Sequence, residues 1–89
     1  MKKVYIVIEN YTFEYKHEVK VSVYDTKEKA KEHFNYIVKK EKKDSWIATE
    51  RNVVEYKTKS HYTAYRAFLT DGYAGEFETN IRFEEKEVW

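Results

Sequence analysis

DTKEKAKEHFNYIVKKEKK, residues 25–43, is the stretch whose periodicity decides the fold. Asp25 stands where its carboxylate can accept from the free amides of a first helical turn, and Glu28, three residues on, can reach back to close a capping box. Ala30, Phe34, Ile37 and Val38 then recur at i, i+4, i+7 and i+8, which draws one apolar stripe along a helix. Lys39, Lys40, Lys42 and Lys43 crowd the far end, where cations complement the negative pole of the helix dipole. Such a helix needs one flat apolar surface to lie on, and the flanking segments supply a sheet.

Upstream, residues 3–8 form a nearly continuous apolar run rich in β-branched side chains, the pattern of a strand covered on both faces. From Tyr11 the pattern is strict alternation, with Tyr11, Phe13 and Tyr15 on one side and Thr12, Glu14 and Lys16 on the other. The apolar parity flips between Ile8 and Tyr11, which predicts a bulge or bend near Glu9 and Asn10. Val19, Val21 and Val23 alternate with Lys20, Ser22 and Tyr24 as a half-buried strand, so residues 3–24 read as one hairpin.

Downstream, Trp46 and Ile47 are expected to tuck under the helix end, and residues 53–57 and 61–69 read as strands. Thr70, Asp71 and Gly72 signal a turn, because glycine accepts the positive φ that hairpin turns demand, and Gly75 offers a second bend. Phe77, Thr79, Ile81 and Phe83 alternate with Glu78, Asn80, Arg82 and Glu84 in a last strand with one wet face. The order β-β-α-β-β-β predicts an α+β fold, a mostly antiparallel sheet with one amphipathic helix packed on one face, as a single domain over residues 1–89.

The chain has no cysteine, whereas small secreted domains are usually held by disulfides, so a reducing, cytoplasmic setting is expected. Glu9 and Asn10 cut the first apolar run short of a signal sequence, and no stretch approaches a membrane span. The net charge of +1 conceals an asymmetry, with eleven Lys against seven acids in residues 1–43 and two bases against six acids in residues 67–89. Near-neutrality overall argues against a general nucleic-acid binder.

Catalysis and metal binding find no support in the sequence. His17, His33 and His61 share no ligand spacing, so no metal or other cofactor is expected. Ser22, Ser45 and Ser60 lack a nucleophile-elbow context, and Gly72 and Gly75 make no phosphate loop. The carboxylates sit on alternating strand faces and helix flanks, where solvated charges belong, so the reading is of a protein that is not an enzyme.

Nine tyrosines are the unusual feature, since tyrosine suits a surface with one dry and one wet end. Tyr5, Tyr24, Tyr56 and Tyr65 fit cross-strand packing within the sheet. Tyr11, Phe13 and Tyr15 are the candidate partner-binding residues, three aromatics on one ribbon expected to lie beyond the helix's cover. An alternative surface combines Lys57, Lys59, Tyr62 and Arg66, the mixture of rings and cations that holds single-stranded nucleic acid; its structural counterpart is a lysine-protected sheet edge. The acidic stretch Glu84-Glu85-Lys86-Glu87 before Val88 and Trp89 would suit a basic groove on another protein. An exposed edge strand also leaves a homodimer open.

The opening Lys-Lys-Val-Tyr-Ile-Val, the Val-Tyr-Asp-Thr-Lys-Glu-Lys-Ala leading into the helix, and the closing Ile-Arg-Phe-Glu-Glu-Lys-Glu-Val resemble short proteins of phages and mobile elements. The resemblance covers most of the chain and is one of type, with no diagnostic motif. It implies no catalytic residue. It implies a small accessory or inhibitory protein that acts by binding a larger host protein, the size class to which anti-CRISPR and other anti-defence proteins belong.

Overall fold

The apolar stripe of the helix finds its sheet. In the computed structural model, which describes residues 2–13, 16–70 and 73–88, the order is β1 (Lys2–Phe13), β2 (Lys16–Tyr24), α1 (Lys27–Asp44), α2 (Trp46–Thr49), β3 (Val54–Lys57), β4 (His61–Thr70) and β5 (Tyr73–Val88). The five strands make one sheet in the order β2-β1-β5-β4-β3, every neighbouring pair antiparallel, so the fold is α+β. β1 and β5 are central, and β2 and β3 are the edges.

Helix α1 buries Ala30, Phe34, Ile37 and Val38, the four residues of the predicted stripe. They pack with Val7 of β1, Ile81 of β5, Tyr62 and Ala64 of β4, and Ile47 of α2. The helix starts one residue later than the capping-box reading has it. Thr26 is the cap, and its Oγ1 accepts from the Lys29 amide at 3.3 Å, while Asp25 pairs instead with the Lys29 ammonium at 3.4 Å. Ser45 ends α1 and begins α2: its hydroxyl donates to the Glu41 carbonyl and accepts from the Ile47 amide at 3.3 Å. That tight corner turns Trp46 back onto the sheet, where Nε1 donates to Thr79 Oγ1 at 3.1 Å and the indole stacks on Phe77 at 5.4 Å. Asn52, at φ 60°, takes the chain from α2 toward β3 in a left-handed conformation that asparagine tolerates better than most residues.

Three sequence expectations are corrected. First, β1 carries no bulge: its pairing runs unbroken from Tyr5 opposite Tyr24 to Phe13 opposite Lys16, and from Lys2 opposite Val88 to Phe13 opposite Phe77. The odd residues of β1 keep facing α1, so Glu9 is carried into the interior at 7% exposure. Second, β1 is covered by a helix on one side only, and register sends the β2 valines to the other side. Tyr24 and Ser22 lie opposite Tyr5 and Val7 on the helix side, while Val23 and Val21 lie opposite Ile6 and Ile8 on the open side. Third, Gly75 makes no bend, since it pairs with Phe68 inside a continuous β4–β5 ladder. The predicted turn at Asp71 and Gly72, together with Glu14, Tyr15 and Trp89, lies outside the described residues. Among the described residues no helix is long and apolar enough to cross a membrane.

Candidate functional site

Because successive side chains alternate across a strand, a one-layer helix on this sheet leaves every second residue of five strands without a covering layer among the described residues. The register lines those residues up in rows across the open face. One row runs Val54, Tyr65, Glu78, Thr12 and His17; the next runs Tyr56, Thr63, Asn80, Asn10 and Val19. A third continues His61, Arg82, Ile8 and Val21.

Read down the strands, the rows divide the face into three zones. On β2 and β1, Val19, Val21 and Val23 stand exposed beside the half-buried Ile6 and Ile8, with Val21 at 59% exposure. On β3 and β4, Val54, Tyr56 and Tyr65 make a second exposed apolar zone, with Tyr56 at 63%. Between them β5 supplies polar groups with partners of their own: Arg82 reaches Glu84 along the strand at 3.4 Å, and Asn80 Oδ1 lies 3.0 Å from Nε2 of His61 on β4. Glu76, which accepts from the Tyr65 hydroxyl at 3.3 Å, and Glu78 make the end beside the tyrosines acidic. Rings and β-branched side chains presented on a rigid sheet supply contact area at low ordering cost, and the flanking carboxylates would orient a partner.

On the helix side a cleft of about 490 Å³ lies between α1 and the β1–β2 ladder, lined among others by Glu9, Tyr11, Lys20, His33, Lys40 and Glu41. Its floor is the buried Glu9, which accepts from the Tyr11 hydroxyl. Burial first, then the Glu9 carboxylate, and then Glu41 push the Tyr11 phenol far above the ordinary tyrosine range, so it stays a donor. Where His33 lines that cleft, its Nδ1 and the Tyr24 hydroxyl lie 2.6 Å apart. These contacts satisfy polar groups that the strand parity carries inward. Among the described residues no group of three or more His, Cys, Asp or Glu could hold a metal ion.

The residues singled out from sequence fall apart spatially. Tyr11 and Phe13 sit on the helix side, Tyr11 half-buried and committed to Glu9, Phe13 at 49% exposure and tilted against Phe77 at 4.7 Å. Tyr15 lies outside the described residues. Phe13, Phe77 and Trp46 thus form one aromatic run on the helix side, between the strands and α2. In the alternative set, Tyr62 is 0% exposed, its hydroxyl donating to Glu55 at 3.0 Å, so its ring offers no face to a base. Burial and Glu55 raise its phenol above the tyrosine range as well. Arg66 is held by Glu50 at 3.3 Å and by the Arg51 carbonyl, with Nε buried and unpartnered. Only Lys57 and Lys59 of that set are exposed.

What the sequence reading missed is the open face itself. Its signal was present in residues 3–8, where both parities are apolar, and in the alternating valines of β2. Comparison of the chain with protein-family models, with curated proteins and with solved structures gives no match.

Proposed function

We propose that this chain is a non-catalytic protein-binding module that presents its open sheet face to a larger protein as a modulator or inhibitor. The observation that carries this reading is the uncovered β3–β4 zone, where Val54, Tyr56 and Tyr65 stand exposed beside Glu76 and Glu78. Tyrosine is enriched at the energetic centres of interfaces, because a rigid ring buries much area and still finds a hydrogen bond at its rim. The partner surface that fits is an apolar groove bordered by lysine or arginine. The likeness to phage and mobile-element proteins favours a host protein as the target.

The test is affinity capture from a lysate of the source cell, with and without nuclease, using the wild type and a Tyr56→Ala/Tyr65→Ala double variant. The expected result is one stoichiometric protein that survives nuclease and is lost with the double variant, whose far-ultraviolet circular dichroism is unchanged. Partners that vanish on nuclease treatment, or capture indifferent to the double variant, would overturn the reading.

A further inference from the structure

The two edges of the sheet are built differently. β3 is four residues long, ends on Lys57 and is followed by Lys59, the short lysine-bearing form in which natural edges avoid pairing. β2 is nine residues long, pairs with β1 without a break, and contains neither proline nor bulge. Its charges do not guard it on the open side: Glu18 and Lys20 face the helix side and pair with each other at 3.7 Å. The outer edge of β2 is therefore a straight row of backbone donors and acceptors, with an apolar margin of Val19, Val21 and Val23.

We propose that this edge pairs with β2 of a second copy, antiparallel about a two-fold axis through Val21, so that two sheets join into one of ten strands. The sequence of the strand is self-complementary in that register. Val21 meets Val21 of the second copy, and Val19 meets Val23 in both directions, which extends the valines into one band running from Ile6 and Ile8 of one copy to those of the other. On the helix side Lys20 meets Ser22 and Glu18 meets Tyr24, so no like charges are opposed. Neighbouring same-face registers are poorer: an axis through Ser22 sets Val19 against the Asp25 carboxylate. An axis through Lys20 opposes two lysines, and an axis through Val19 sets His17 against Val21 and leaves Val23 without an apolar partner on β2. A two-fold axis normal to the sheet keeps both helices on one side and makes the two open faces one surface. Pairing at β2 leaves Val54, Tyr56 and Tyr65 at the far edges of the joined sheet, so this inference and the partner-binding reading stand or fall separately.

The test is the mass in solution by light scattering over a concentration series, combined with cysteine cross-linking in a chain that has no cysteine of its own. The wild type is expected to approach twice 10.9 kDa with concentration, and Val21→Lys, which opposes two cations at the axis, is expected to remain monomeric with unchanged circular dichroism. Under mild oxidation Val21→Cys should cross-link to itself. Val19→Cys should not, yet should cross-link in a mixture with Val23→Cys. A wild type that is monomeric throughout, or Val19→Cys cross-linking to itself as readily as Val21→Cys, would overturn the proposal.

Discussion

Glu9 is the residue that most shapes the helix side. A carboxylate brought to 7% exposure costs several kcal/mol unless it keeps hydrogen bonds, and Tyr11, two residues along the same face, donates one. Tyr11→Phe removes that donor while leaving the ring, and is expected to lower unfolding free energy by about 1–3 kcal/mol in urea titrations. No loss would mean that Glu9 is satisfied elsewhere. Tyr62 donates to Glu55 in the same way, but Lys42 also holds Glu55 at 3.6 Å, so Tyr62→Phe should cost less. Both phenols are raised in the folded state above the ~10 of an unfolded chain. The stability they contribute is therefore complete below pH ~10 and falls as the pH climbs beyond it, because only the unfolded chain loses these protons there. Tyrosinate absorbance should show Tyr11 and Tyr62 ionising only with unfolding, and two missing transitions in the Tyr11→Phe/Tyr62→Phe variant would identify them. Neither contact was legible in sequence. An acid at an interior parity reads as a break in the strand, and only the register reveals that the strand continues through it.

At the scale of elements, the helix was legible because four apolar residues at helical spacing have only one face to share, and the same four are buried in α1. Its start was misread by one residue, since Asp25 and Thr26 are both good caps and the choice between them depends on backbone angles that sequence does not carry. Thr26 is the residue in the extended conformation whose hydroxyl reaches the Lys29 amide, so Thr26→Ala should cost about 0.5–2 kcal/mol. Asp25→Ala removes only an exposed ion pair with Lys29 and should cost at most about 0.5 kcal/mol. The reverse order in thermal melts would return the cap to Asp25. The strands were also legible, but not their parity. Alternation in β2 shows that one side is apolar and does not say which side the helix covers. That was decided by the pairing of Tyr24 with Tyr5, which no local pattern in β2 contains.

At the scale of the molecule, helix and sheet are mismatched in length. Eighteen residues of α1 span about 27 Å, whereas the sixteen of β5 span about 53 Å, in keeping with a longest dimension of 55 Å. α1 thus fastens the middle of the sheet, where Val7, Tyr62, Ala64 and Ile81 pack with it, and the β4–β5 ladder continues past it. Among the described residues β1 accompanies β5 as far as Phe13 and Phe77, and beyond that point Glu76 and Gly75 are accompanied by β4, opposite Ala67 and Phe68. A two-stranded ribbon without a covering layer is marginal in water, while Val7 and Ile81 lie in central strands beneath the helix. Hydrogen exchange should follow that difference. The amides of Ala67, Gly75 and Glu76 are expected to exchange by local opening at low free energy, and those of Val7 and Ile81 only with global unfolding. If the ribbon amides were protected as strongly as the central ones, the ribbon would have to be covered in solution by something other than this chain's own helix. The β2 edge provides an internal control for that outcome. Its outward amides should gain protection with concentration if two copies pair there, whereas those of Ala67 and Glu76 should not, because they lie on β4 and β5, which do not border the proposed seam.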